Sequence, residues 1–209
     1  MSPIKAVPPS DPQAVASPAG SPDRDRKAEH IALALDERMQ LESRFFDAYR
    51  FEHNALPELD GGEIDLRTEF LGRPLGAPLL VSCMTGGTEE ATRINQRLAR
   101  AAESARVAVG VGSQRKALEA PELAASFQVR RQAPSVPLLA NLGAVQLNYG
   151  YGVEECRRAV GMIEADALVL HLNPLQEAIQ PEGQCDFSGL VPKIAAVVEG
   201  LEVPVIVKE

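Results

Sequence analysis

The 209-residue chain has no tryptophan, and only 4% of its residues are aromatic. A surface on which bare bases stack has little here to be built from. Positive charge is also short: 21 Lys and Arg stand against 29 Asp and Glu, a net charge of −8. That balance excludes a broad nucleic-acid or anionic-membrane partner, whose phosphates demand a basic face. It leaves room for one local basic pocket around a small anion. No apolar run approaches the ~20 residues that span a bilayer, and the amino terminus lacks the apolar core of a secretion signal. Three cysteines, Cys83, Cys156 and Cys185, are odd in number and irregular in spacing. They fit reduced thiols of a cytoplasmic protein and not a disulfide frame or a zinc site.

What is present reads as one globular domain behind a leader. Hydrophobic residues make up 45% of the chain, enough for a sizeable core. Residues 1–22 are rich in Pro, Ser and Ala and read as a disordered leader; residues 23–209 form the domain. A charge cluster, residues 23–30, precedes an expected helix over Ile31 to Ser43. Within it Arg26, Lys27 and His30 suit a diphosphate, Arg as a fork of donors and Lys as a point charge. The bland alternative is a solvated helix start. Residues 45–51 are aromatic and expected to pack on the core. Residues 63–70 alternate, with Ile64, Leu66, Thr68 and Phe70 on one face, and predict a hairpin strand that plugs the bottom of a sheet.

From Pro78 onward the chain is periodic. Apolar runs at 79–81, 107–111, 138–140, 167–170 and 205–207 recur at roughly 30-residue intervals, the span of one β/α unit. Amphipathic helical patterns lie between them. One face carries Ile94, Leu98, Ala101, Ala102 and Ala105; a second carries Val153, Cys156, Val160 and Ile163; a third carries Leu190, Ile194, Val197, Val198 and Leu201. This is the signature of parallel strands with right-handed crossovers.

Each apolar run ends in chemistry. Met84-Thr85-Gly86-Gly87 lets backbone amides approach a flat ring or phosphate, or is a plain tight turn. Ser113-Gln114-Arg115 makes an anion clamp, or a surface helix start. Asn141 can donate and accept toward a heterocycle edge, or close an Asx-turn. His171 is the one histidine inside the periodic region, and Gln176 and Glu177 follow on the same loop. Glu177 suits Mg²⁺, which takes one or two carboxylates plus substrate oxygens. Lys208 ends the fifth strand, as a Schiff-base amine, a cation beside an electron-rich cofactor or a snorkelling lysine. Five polar strand ends point to one shared rim.

Taken in order, these motifs resemble the type 2, flavin-dependent isopentenyl diphosphate isomerases. The likeness rests on Arg26-Lys27-x-x-His30, Met84 to Gly87, Gly112 to Arg115, Asn141 to Ala144, His171 to Glu177, Pro181 to Gly183 and Val205 to Glu209. Each piece is weak and the ordered set is specific. The resemblance implies a (β/α)₈ TIM barrel that binds FMN and uses Mg²⁺ and NADPH. It implies FMN contacts at Met84, Thr85, Gly86, Ser113, Asn141 and Lys208. It implies substrate contacts at Arg26, Lys27, His30, Ser113, Gln114, Arg115 and Gln176, catalytic roles for His171 and Gln176, and Mg²⁺ at Glu177. The implied partners are isopentenyl diphosphate and dimethylallyl diphosphate, interconverted without net redox change in a cytoplasmic homo-oligomer.

Five strands fall short of the eight that close such a barrel. The expectation is therefore a partial TIM barrel, either a piece of a longer chain or a truncated half-barrel without activity. Two other chemistries stay open on the same frame: a flavin oxidoreductase, and a lyase that uses Lys208 as a Schiff base.

Overall fold

The computed structural model describes residues 26–36, 48–180 and 183–209; the expected leader lies outside them. The chain divides into two compact units, Met1–Gln40 and Leu41–Glu209. In the first, helix α1 spans Arg26–Ala34. It starts inside the charge cluster and not after it, because Arg, Lys, Ala and Glu are themselves strong helix formers. The described helix stops at Ala34, where Leu35 N–H is shared between the carbonyls of Ile31 and Ala32, a frequent helix ending.

The second unit contains an antiparallel hairpin, β1 (Thr68–Phe70) and β2 (Arg73–Leu75). The expected strand from residue 63 is shorter than its alternation predicts. Ile64 and Leu66 are exposed, and Asp65 instead holds Arg67 through its backbone and side chain. Tyr49 and Phe51, expected on the core, are likewise exposed.

Five strands then form one parallel sheet in chain order: β3 (Leu80–Val81), β4 (Ala108–Gly110), β5 (Leu138–Gly143), β6 (Ala167–His171) and β7 (Val205–Lys208). Helices α2 (Glu89–Ala105), α3 (Arg115–Glu119), α4 (Val153–Ile163), α5 (Pro174–Ile179) and α6 (Leu190–Gly200) fill the crossovers. Residues of α2, α4 and α6 share one apolar cluster with Val109, Leu138, Ala140, Leu168 and Leu170. The opposite face carries Cys83, Leu139, Ala167 and Val169, with Ile206 and the hairpin residues Phe70 and Leu71 packed against them. Neighbours in sequence order with helices on one face mark a singly wound sheet; a doubly wound one reverses its strand order and covers both faces. The fold is therefore mixed α/β, a five-stranded parallel sheet with one helix-covered face and one plugged at its base by the hairpin.

A carboxylate ties that plug in place. Asp166, just before β6, accepts from Arg73 at 2.5 Å, Arg130 at 2.7 Å and Leu138 N–H at 2.8 Å. It thereby joins the hairpin, the approach to β5 and β5 itself.

The helix faces follow the expected pattern for α4, which buries Cys156, Ala159 and Ile163, and largely for α6, where Val198 is exposed. On α2 the pattern misleads. The buried residues are Ala91, Asn95, Ala99 and Ala102, while Leu98 faces outward. Small side chains line the buried face of α2, and Asn95 fits among them because its amide donates to Thr85 O and Ser126 O.

Candidate functional site

The carboxyl ends of β3 to β7 set the polar residues side by side. Parallel pairing places Asn141 beside Val169, Gly143 beside His171, and His171 beside Lys208. Asn141 lies within β5, not after it as the apolar run suggested. Alternation puts Asn141 with Leu139, His171 with Val169 and Lys208 with Ile206, all on the face without helices.

Asn141 and His171 form the centre. His171 Nδ1 lies 2.8 Å from Asn141 Oδ1, and Asn141 Nδ2 donates to Val111 O at 3.1 Å. A backbone carbonyl only accepts, so the Val111 contact fixes the amide orientation. Oδ1 therefore faces the imidazole, and Nδ1 must carry the hydrogen. In the neutral ring Nε2 is then the acceptor nitrogen. Asn141 retains one amide N–H beyond these two bonds.

Next along the arc, Thr85 is held against Gly112. Gly112 N–H donates to Thr85 O at 2.7 Å, and Asn95 Nδ2 donates to the same oxygen at 3.1 Å. Asn95 also bonds Ser126 O, and Ser126 Oγ accepts from Gly87 N–H. The Met84 to Gly87 loop is thus clamped from α2 and from the 3₁₀ helix at Pro121–Ser126. A Cβ on Gly112 would stand 2.6 Å from the Thr85 backbone, and one on Gly86 would enter the Phe127 ring. Met84 is exposed at the loop tip.

Gln114 does a different job from the one expected. It is fully buried, exchanges bonds with the Asn141 backbone in both directions, and donates to Ala159 O at 2.8 Å. It locks β4, β5 and α4 together and does not face the rim. Ser113 beside it is partly exposed. Arg115 opens α3, its Nε 3.9 Å from Glu119 Oε1. Glu119 is 58% exposed, and such pairs exchange at a cost of about 0–1 kcal/mol.

Past β6, Asn173 adopts φ 45°, a left-handed conformation that Asn tolerates. Its Nδ2 donates to Gln176 Oε1 at 2.8 Å, and Gln176 is exposed in the first turn of α5. Glu177 is buried, and its Oε2 accepts from Gln184 N–H at 2.9 Å. Lys208 pairs with Glu209 at 3.0 Å. Burial pushes the Cys83 thiol up to about 11, against a lowering pull from Lys208.

The structure thus unites Thr85, Asn141, His171 and Lys208 in one arc, with Gln176 and Glu177 on the loop after its centre. Arg26, Lys27 and His30 belong to α1 in the other unit; Glu182 lies outside the described residues. Sequence reasoning missed Asn95 and Ser126, and Asn173 was left without a role. The signal for Asn95 was an amide on an otherwise apolar helix face. Among the described residues no cluster of three His, Cys, Asp or Glu side chains suits a metal, and no helix is long and apolar enough to cross a membrane.

No protein-family model matches the chain. Curated proteins do. An isopentenyl-diphosphate delta-isomerase of a Nostoc species is 54% identical over 188 residues, 89% of this chain and 54% of that protein. One of a Synechococcus species is 56% identical over 186 residues, 88% of this chain and 53% of that protein. A solved mandelate oxidase structure with an FMN adduct aligns with 72% of this chain and 45% of that one, at a TM-score of 0.45 and 17% identity. The chain spans about half the length of the curated relatives it matches. Over about nine-tenths of its own length the chain is similar to curated isopentenyl-diphosphate delta-isomerases.

Proposed function

We propose that the sheet is an arc of a (β/α)₈ barrel in a type 2 isomerase, which interconverts isopentenyl and dimethylallyl diphosphate with FMN, Mg²⁺ and a reductant such as NADPH. The observation that carries this is the hydrogen-bonded pair Asn141–His171 in register with Lys208, at the carboxyl ends of parallel strands. In barrels of this type, that end is where chemistry is placed.

The donor set fits a flavin. Asn141 keeps an N–H for a ring edge, Lys208 brings a cation, and the Thr85 loop is fixed at the rim. Apolar Leu139 and Val169 floor the same face. Bound there in its reduced form, FMN supplies acid–base capacity for shifting the double bond. Lys208 would favour its anionic form through charge alone.

The chain's own residues would do the rest. The substrate's hydrocarbon end offers nothing to hydrogen-bond, so binding energy must come from its diphosphate. Arg115, by leaving Glu119, and Ser113 would hold that group. Glu177 would hold Mg²⁺ against the phosphate oxygens. His171 would carry a proton at Nε2 near the allylic end, with its ring fixed by Asn141. Gln176, fixed by Asn173, would border the same end.

Incubating the intact protein with isopentenyl diphosphate, FMN, Mg²⁺ and NADPH tests this. Dimethylallyl diphosphate should form in many turnovers per reductant consumed. One reductant per product would instead mark an oxidoreductase.

A further inference from the structure

Glu177 is held from a direction that the strand-end pattern does not reveal. The 3₁₀ helix Ala144–Asn148 follows β5 directly, and Gln146 is buried in it at 4% exposure. Gln146 Nε2 donates to Gln184 Oε1 at 2.9 Å. Gln184 N–H in turn donates to Glu177 Oε2 at 2.9 Å. Gly183, between these contacts, packs so closely on the Glu177 carbonyl that a Cβ there would collide with it. Gly183 and Gln184 thus pack on Glu177, Gln184 through its carboxylate, and Gln146 is a side chain that holds Gln184 in place.

The other end of the same amide has no partner. Gln146 Oε1 is buried and accepts no hydrogen bond. It lies over Gly143, where a Cβ would stand 3.0 Å from Gln146 Cδ and 3.1 Å from Nε2. Gly143 is in register with His171, so this oxygen sits beside the polar arc. A buried acceptor without a donor is costly and calls for one. A divalent ion at Glu177 brings donors with it, because Mg²⁺ keeps several of its waters.

We infer that Gln146 is a positioning residue for the ion at Glu177. Its Nε2 fixes the carboxylate through Gln184, and its Oε1 accepts from a water that arrives with the ion. This rests on the reading of Glu177 as the ion's ligand. Neighbouring Asn148 makes a useful contrast. It donates to Asp186 O and Ser188 O, both at 2.8 Å, and so steadies the far part of the loop without touching Gln184.

Mn²⁺ serves as the probe, with free ion counted by electron paramagnetic resonance in the intact holoenzyme and thermal midpoints recorded without metal. The wild type should bind Mn²⁺. Gln146→Met, close in length but without either hydrogen-bonding end, should bind at least tenfold more weakly. Gln184→Ala should weaken binding in the same direction, and its partly exposed site spares the core. Asn148→Ala should stay within twofold of wild type. Wild-type affinity in both Gln146→Met and Gln184→Ala would overturn the inference while Glu177 kept its role. A wild type that binds no Mn²⁺ would overturn the reading of Glu177, and this inference with it.

Discussion

His171 donates its Nδ1 hydrogen to Asn141 Oδ1 across 2.8 Å, from the neighbouring strand of the sheet. Because Asn141 Nδ2 is committed to Val111 O, the amide cannot turn over without losing both bonds. The imidazole is therefore delivered in one tautomer. In Asn141→Leu that constraint disappears. Nitrogen-15 NMR of the imidazole should show Nδ1 protonated in the neutral wild type and a mixture of tautomers in the variant. An unchanged tautomer would mean that Asn141 does not set it.

Gly112 makes a second prediction. Its N–H bonds Thr85 O, and a Cβ would stand 2.6 Å from the Thr85 backbone. Backbone atoms cannot rotate away as a side chain does, so Gly112→Ala must displace the Thr85 loop. Overpacking of this kind costs about 1–3 kcal/mol. The denaturant midpoint should fall with an unchanged slope, and FMN affinity should fall with it.

The thiols give a pH dependence. Burial raises Cys83 and Cys156 to about 11 from an ordinary value of 9.0. The folded state therefore keeps protons that the unfolded state has released between those values. Stability is full below pH 9 and declines as pH rises toward 11. Replacing Cys156 by Ala should flatten that decline, as measured by urea unfolding across the range. At pH 8 the exposed Cys185 should react with a disulfide reagent well before the two buried thiols.

Gln176 is oriented by Asn173 and lies one residue before Glu177. Gln176→Ala should lower turnover about 100-fold, the scale of a displaced positioning contact, while flavin content stays at wild type. Asn173→Ala should produce a milder version of the same loss. Normal turnover in Gln176→Ala would remove Gln176 from the mechanism.

The strands were legible because buried parallel strands are continuous apolar runs, and four of the five runs fall within a residue of the structural ends at both sides. The exception, β5, extends through Asn141 to Gly143. A polar residue looked like the strand's end, yet backbone pairing with β6 continues past it. The helix face of α2 was misread for a related reason. Apolarity marks what can be buried, but the buried face of α2 carries small residues and the doubly bonded Asn95. At the site, His171 and Lys208 could be placed from their positions at strand ends, and Asn141 from the polar break in its apolar run. Gln114 could not, since its spacing matched the rim while its amide turned inward to Ala159 and the Asn141 backbone. Hydrogen bonds such as Gln146–Gln184 join residues 38 apart and leave no periodic trace.

The central claim is that the arc from Thr85 through Asn141 and His171 to Lys208 faces a flavin and a short diphosphate ester together. A crystal structure of the intact protein with FMN, Mg²⁺ and isopentenyl diphosphate measures this directly. It should show the flavin ring against Thr85, Asn141 and Lys208, with His171 and Gln176 at the hydrocarbon end and the metal at Glu177. A flavin bound on the helix-covered face, or a diphosphate distant from Arg115 and Glu177, would contradict it.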